Sequence, residues 1–220
     1  MLYLVATPIG NLGDITLRAL EVLKTVDVIG AEDTRHSLNL LRAHGISKPL
    51  ISYHQHNEAR RTEEFVGRLE AGENIALITD AGMPGVSDPG HRLLRACLEK
   101  NIAYTVIPGA SSVLTALIGS GFPAERFSFA GFLPVKSGQR LRELTAAVER
   151  AETMLFFESP YRLVKSLAVL AEIAPNRSVC VARELTKKFE EFRIGSPAEL
   201  AAHFTAHPPK GEITLVIAPA

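Results

Sequence analysis

Three clusters of ionisable side chains each sit just past a short apolar run. Glu32-Asp33-Thr34-Arg35 joins two carboxyls to a guanidinium, and His54-Gln55-His56-Asn57-Glu58 sets two imidazoles beside an amide and an acid. Arg183-Glu184-Leu185-Thr186-Lys187-Lys188 gathers three cations around one acid. Carboxyls and imidazoles can take a proton from a hydroxyl, while guanidinium and ammonium groups can hold phosphate. Asp33, His54 and Glu184 are therefore candidates for proton acceptance or substrate alignment, and Arg35, Asn57, Glu58, Arg183 and Lys187 for substrate contact. Each cluster has a plainer reading. Asp33 or Thr34 can N-cap a helix, a role that can coexist with chemistry; Asn57 and Glu58 can simply start one; 183–188 can be a solvated hairpin connection. His54 and His56 have no third Cys or His ligand nearby, so no metal site is expected.

A second kind of signal lies in loops built from small residues. TPIGNLGDIT (7–16), TDAGMPGVSDPG (79–90) and PGASS (108–112) each follow an apolar run. In the middle loop Gly82, Gly85 and Gly90 allow close approach to the backbone, while Pro84 and Pro89 stiffen it. Asp80 can accept a hydrogen bond from a ligand or cap the loop itself. There is no G-x-G-x-x-G and no P-loop. Ser87 lacks the spacing of a nucleophile elbow and reads as a turn residue. Taken singly these loops are tight turns; three that share one edge of a sheet imply a pocket walled by backbone, against which an adenosine or an amino-acid tail can lie.

The elements that must hold these groups alternate. Strands are expected at 2–6, 27–31, 50–53, 74–79 and 103–107, with helices at 17–25, 34–45, 58–71 and 91–100 between them, the first capped by Asp14 or Thr16. That order implies a parallel sheet with helices on both faces, and ligands then bind beyond the carboxyl ends of the strands. After Pro108-Gly109 come a helix at 111–121, strands at 127–131, 153–158, 178–182, 190–195 and 212–218, and helices at 137–150, 160–173 and 197–206, the last begun by Ser196-Pro197. The strands at 178–182 and 190–195 have no helix between them, so antiparallel pairing and a mixed sheet are expected. The fold class is α/β in two lobes, 1–109 and 110–220.

The totals narrow the function. With 220 residues, 46% of them hydrophobic, the chain can bury a sizeable core, and 24 Lys plus Arg balance 24 Asp plus Glu. A non-specific coat for duplex DNA needs a basic excess, so any nucleic-acid contact must come from local patches such as Lys136, Arg140 and Arg142 or Arg60-Arg61, runs that are usually solvated faces. No apolar run reaches the roughly 18 residues of a membrane helix, and the N-terminus has no signal-peptide pattern. Cys97 and Cys180 read as buried thiols of a reduced, cytoplasmic protein. Phe156-Phe157 reads as core strand, while Tyr161 and Phe132 can stack on a base or simply pack.

The stretches ATPIGNLGDIT, AEDTRHS, HQHNE, TDAGMPGVSDPG, PGASS, FFESPYRL, ARELTK and KGE occur in that order. Together they closely resemble the tetrapyrrole methylase superfamily, the class III S-adenosylmethionine-dependent methyltransferases, and within it a subgroup of cytidine 2′-O-methyltransferases acting on 16S ribosomal RNA. The resemblance runs from Leu2 to Ala218. It departs from the family pattern at Met83, where Thr is common, and at Ala110-Ser111, where Pro-Cys or Pro-Ser is common; family members also often continue past the last strand with a further helical segment. The resemblance implies a cofactor, S-adenosylmethionine, in the cleft between two α/β lobes of a homodimer. By the same resemblance the cofactor touches Pro8, Asp80, Ala81, Gly82, Met83, Val86, Ser111, Ser112, Phe157, Leu185, Gly211, Glu212 and Ile213. The implied partner is 16S rRNA within the small ribosomal subunit, with neither DNA nor membrane involved. Two alternatives keep the cofactor: a methyltransferase for a tetrapyrrole, and a non-catalytic cofactor-binding module in ribosome assembly. HQHNE and ARELTK favour the RNA enzyme.

Overall fold

Apolar residues on the early strands face both ways, and helices cover both faces. The computed structural model describes residues 1–220, which divide into two units, Met1–Ser111 and Ser112–Ala220. In the first, β1 (Leu2–Val5), β2 (Val28–Ala31), β3 (Leu50–Ser52), β4 (Ile75–Ile78) and β5 (Tyr104–Ile107) lie in the order β3-β2-β4-β1-β5. Every pairing is parallel. Four helices connect them: α1 (Leu17–Thr25), α2 (Thr34–Ala43), α3 (Glu58–Glu70) and α4 (His91–Glu99). Leu2, Leu4, Ile75 and Leu77 pack with Phe65 of α3 and Leu93 of α4, whereas Val5, Ala76 and Ile78 pack with Leu23 of α1 and Leu41 of α2. Each such side chain contributes about 1.5–3 kcal/mol when buried, so neither face of the sheet can be left to water. That is why these strands read as unbroken apolar runs.

The helix starts are chemically fixed. Thr16, not Asp14, caps α1, its hydroxyl accepting from the Ala19 N–H at 3.1 Å; Asp14 lies inside an extra 3₁₀ turn, Leu12–Asp14, that periodicity did not reveal. Because all five strands run one way, the loops after β1, β2, β3, β4 and β5 leave from one edge of the sheet.

The second unit opens with α5 (Ser112–Ser120) and continues through β6 (Phe127–Phe132), α6 (Ser137–Val148), β7 (Thr153–Glu158), α7 (Leu163–Ile173), β8 (Val179–Arg183), β9 (Glu191–Gly195), α8 (Pro197–Ala206) and β10 (Ile213–Ile217). Its sheet has the order β6-β7-β10-β8-β9 and is mixed: β6 and β7 are parallel and the other pairings antiparallel, including the expected β8–β9 pair. Leu144 of α6, Leu167 of α7 and Phe204 of α8 close one face over Phe156, Val181 and Leu215. On α5, a Cβ at Gly119 would overlap the ring of Phe192 on β9, so glycine permits their contact. Ser196 forms a capping box with Glu199 at the start of α8.

Two expectations change. Helix α7 begins at Leu163, because Glu158 holds 159–162 in a turn: it accepts from the Ser159 N–H at 2.6 Å and from Arg162 Nε at 3.0 Å. Arg140 is not part of a solvated basic face; it is 5% exposed and donates to the Val135 carbonyl at 3.3 Å.

Candidate functional site

On the first unit's carboxyl edge, β1, β4 and β5 are neighbours, so the three small-residue loops leave adjacent strand ends. The loops are then tied together. Thr7 and Gly82 exchange backbone hydrogen bonds, Thr7 N–H to Gly82 O at 2.9 Å and Gly82 N–H to Thr7 O at 3.1 Å, and the Thr7 hydroxyl donates to Thr79 O at 3.1 Å. Gly82 has φ +80°, and a Cβ there would lie 3.5 Å from Ile9 and 3.7 Å from the Ala110 carbonyl. Segments around Pro8, Gly82 and Ala110-Ser111 therefore converge, with the Ile9 side chain and the Ala110 carbonyl facing Gly82 at their meeting point. Pro8 and Gly82 are buried, Asp80, Ala81, Met83 and Ser111 are half-buried, and Val86 is exposed. Ser87 takes φ +65°, as a turn residue.

Acids border this convergence. Asp33 is the N-cap of α2, its carboxylate accepting from the backbone N–H groups of Arg35 at 2.8 Å and His36 at 3.4 Å. Those bonds, the Arg35 backbone N–H foremost, hold its carboxyl below the usual range. Its own N–H donates to Asp80 Oδ1 at 3.1 Å, linking the loops after β2 and β4. Glu32 behaves oppositely: burial, then the charge of Asp80, pushes its carboxyl up, only partly offset by a backbone hydrogen bond from Asp80 and the nearby His54. A carboxyl with a raised pKa holds a proton more readily, so Glu32 fits proton acceptance better than Asp33. Within the cluster Glu32-Asp33-Thr34-Arg35, the spacing pointed to Asp33 rather than Glu32 for proton acceptance. The available signal was positional: once Asp33 is committed as a cap, the acid before it remains for the strand end.

His54 is held in place by Asn57. The Asn57 side chain accepts from the His54 backbone N–H at 2.9 Å and donates to the Ser52 carbonyl at 3.2 Å, which fixes its amide orientation. Its Nδ2 then also donates to His54 Nε2, 3.1 Å away. A neutral imidazole accepting at Nε2 carries its hydrogen on Nδ1, and His54 Nδ1 is buried with no protein partner. His54 is thus arranged as a hydrogen-bond donor. Glu58 starts α3 and pairs with Arg92 at 3.5 Å, Arg61 pairs with Glu64 at 2.5 Å, and Arg35 projects into solvent. A cavity of about 690 Å³ lies beside these groups, lined by Glu32, Gln55, Glu58 and, after β4, Asp88, His91 and Arg92. No group of His, Cys, Asp and Glu side chains suited to a metal ion is present.

The second unit's candidates gather on its own edge. Ile213 at the start of β10 lies opposite both Glu158 and Arg183, the last residues of β7 and β8. Glu184 Oε1 accepts from Lys187 Nζ at 3.0 Å and from the Glu212 N–H at 3.1 Å, and Lys187 also reaches Glu212 at 2.6 Å. Burial pushes the Glu184 carboxyl up, but the Lys187 hydrogen bond, the Glu212 N–H and nearby Arg183 outweigh it and leave the carboxyl below its usual range. Burial likewise pulls Lys187 down, and its bonds to Glu212 and Glu184 more than reverse that. Arg183 is paired with Glu191 at 2.6 Å. Glu184 and Thr186 adopt positive φ, and Gly211 faces the Glu184 carboxylate so closely that a Cβ would overlap it. Leu185 is buried, and Phe157 packs edge-on against Phe129 and Phe132.

A doubly wound parallel unit with backbone-walled loops on its carboxyl edge, followed by a mixed-sheet unit, is the architecture of one methylase class. The chain belongs to the tetrapyrrole (corrin/porphyrin) methylase family, whose model matches residues 1–201. Among its relatives, the ribosomal RNA small subunit methyltransferase I of Synechocystis sp. is 51% identical over 219 residues, covering 99% of this chain and 78% of that protein. The protein of the same name from Thermotoga maritima is 44% identical over 216 residues, covering 98% of this chain and 97% of that one. The crystal structure of uroporphyrin-III-C-methyltransferase from Thermus thermophilus matches with a TM-score of 0.70 at 22% identity, covering 99% of this chain and 93% of that one, which shows a shared fold.

Proposed function

We propose that this protein uses S-adenosylmethionine to methylate the ribose 2′-hydroxyl of a cytidine in 16S ribosomal RNA, in the small subunit. The observation that carries the proposal is the Thr7–Gly82 bridge beside Ala110, which ties three loops into one wall at the ends of three adjacent parallel strands. The names of the relatives at 44% and 51% identity support the RNA substrate over a tetrapyrrole. A small, flat nucleoside suits such a wall, and glycine at 82 leaves space that a side chain would occupy. Pro8, Asp80, Ala81, Gly82, Met83, Val86 and Ser111 of the first unit, with Ser112, Phe157, Leu185, Gly211, Glu212 and Ile213 of the second, are the proposed cofactor contacts. When bound, the cofactor supplies an electrophilic methyl group on a sulfonium. The protein's own task is to align the hydroxyl and receive its proton, since a ribose hydroxyl is a weak nucleophile. Glu32 is the proposed acceptor and His54 a donor that orients an RNA oxygen; Asp33 holds the loop beside them, and Glu184 holds the loop after β8 in the second unit. Arg35, Asn57, Glu58, Arg183 and Lys187 are proposed for the RNA side, Asn57 through His54. The homodimer and the cytoplasmic location belong to the same proposal, on the family resemblance.

The test is incubation with methyl-labelled cofactor and either free 16S rRNA or 30S particles, followed by nuclease digestion. Label in a 2′-O-methylcytidine is expected. Label in an added porphyrin precursor, or cofactor binding with no label in either RNA, would reject the assignment.

A further inference from the structure

The second unit's sheet edge carries a feature that neither the cofactor nor the proton transfer uses. β6, β7 and β8 end on the edge where β9 and β10 begin, since Phe132 pairs with Phe157, Ile213 with Glu158 and Arg183, and Arg183 with Glu191. On that edge stand three exposed aromatic rings: Phe132 at 62%, Tyr161 at 91% and Phe189 at 64%. Strands lie about 4.8 Å apart, so the rings spread along roughly 20 Å of edge. Their faces are open to a flat partner.

Each ring sits on or beside a pinned loop. Leu133, next to Phe132, is buried and donates its N–H to the Phe157 carbonyl at 3.0 Å, and buried Arg140 holds the Val135 carbonyl. Tyr161 tops the turn fixed by the buried Glu158, which also accepts from the Ser166 hydroxyl at 2.5 Å. Beside Phe189, Glu190 accepts from the Thr186 N–H at 2.6 Å, and Lys188 lies 5.6 Å from the Phe189 ring centre. Rigid display of this kind reduces the entropy lost on binding.

Charge selects the occupant. Most acids on this edge are paired with cations, Glu158 with Arg162, Glu184 and Glu212 with Lys187, Glu191 with Arg183 and Arg193, while Glu190 accepts from the Thr186 N–H and keeps its charge. Lys136 and Lys210, in the loops before α6 and β10, have no carboxylate partner. Held aromatics among unpaired ammonium groups match the stacking-plus-phosphate chemistry of single-stranded RNA. We infer that Phe132, Tyr161 and Phe189, with Lys136 and Lys210, form a stacking platform for unpaired bases of the RNA that flank the target nucleotide. The inference rests on the RNA reading above and extends it to residues outside the reaction.

The test uses the full chain, a fluorescein-labelled single-stranded RNA, and 30S particles in filter binding. Phe132→Ala, Tyr161→Ala and Phe189→Ala are each expected to weaken RNA binding about 5- to 100-fold, with cofactor affinity by calorimetry and melting temperature unchanged in Tyr161→Ala and Phe189→Ala, the two rings not packed on Phe157. Tyr161→Trp and Phe189→Tyr are expected to retain affinity. Lys136→Ala with Lys210→Ala should lower the slope of log affinity against log salt by about 1.4. Unaltered RNA affinity in all three alanine variants overturns the platform, as does sedimentation showing that they dissociate a dimer, which would make this edge a contact between copies. If the unsubstituted protein binds neither RNA nor 30S particles, the RNA reading itself fails, and the platform with it.

Discussion

Asn57 grips His54 at two points: it accepts the histidine's backbone N–H at 2.9 Å and donates from Nδ2 to the ring's Nε2 at 3.1 Å. The ring cannot rotate or change tautomer without breaking this clasp, so its role follows from its neighbour. Asn57→Ala should therefore lower stability by about 1–2 kcal/mol, from lost hydrogen bonds at a half-buried site, and reduce methyl transfer. Imidazole ¹⁵N–¹H correlation spectra provide the check: the hydrogen should reside on Nδ1 in the unsubstituted protein and distribute over both nitrogens in the variant. A hydrogen on Nε2 in the unsubstituted protein would refute the tautomer.

Glu32 gives a prediction in which stability and activity move apart. Its folded pKa lies above the ordinary 4.5 because of burial and Asp80. The folded state therefore binds that proton more tightly than the unfolded chain does, and its advantage is full below 4.5 and lost as pH rises through the folded pKa. Glu32→Gln should raise the melting temperature at pH 7, remove part of the pH dependence above 4.5, and reduce kcat strongly with little change in cofactor affinity. Thermal melts and initial rates across pH test both halves.

The Glu184–Lys187 pair has the opposite sign. The lowered carboxyl of Glu184 contributes stability that is present above pH 4.5 and lost as pH falls through its folded pKa. Lys187, raised above 10.5, contributes below that pH and loses its contribution as pH rises through its own folded value. Glu184→Gln should flatten the acid limb of the stability curve, and Lys187→Met the alkaline limb; urea midpoints against pH are the measurement.

Gly211 and Glu184 should be coupled. Gly211→Ala puts a Cβ into the Glu184 carboxylate at a backbone angle of φ +82°, which alone costs about 1–2 kcal/mol. In a Glu184→Ala background the overlap disappears, so the same change should cost less. A double-mutant cycle is expected to show a coupling of about 0.5–3 kcal/mol; strict additivity would contradict the contact.

At Gly82 the neighbours leave ordinary van der Waals room, so Gly82→Ala should cost only the backbone strain of φ +80°, about 1–2 kcal/mol. Cofactor affinity, measured by calorimetry, should fall further than stability does. Gly109→Ala is the contrasting case: its Cβ would come within 2.8 Å of the Ala6 Cβ, so stability should fall along with binding.

What the sequence made legible follows from the range of the interactions involved. The alternation of apolar runs and helical periodicity located the strands and helices to within a few residues, because burial on both faces writes itself into local pattern. The missing helix between 178–182 and 190–195 revealed the antiparallel pair, as β8 and β9 bear out. Long-range partners were not readable. Arg140 looks like surface charge until the Val135 carbonyl is seen beside it, and α7 looks longer until Glu158 claims the turn before it. At the candidate site, residue types were visible but protonation was not: Asp33 and Glu32 are adjacent in sequence, and burial of Glu32 beside Asp80, against the Arg35 N–H bond to Asp33, separates their behaviour.

The first strand, Leu2–Val5, lies between β4 and β5 and pairs with nothing else. Its partners begin at Ile75 and Tyr104. At about 5–20 residues per second of synthesis, the nascent chain carries an apolar N-terminal segment for several seconds before either partner exists. This sheet therefore cannot close from its beginning: its first strand waits for β4, and the sheet is completed only when β5, at its edge, has been made.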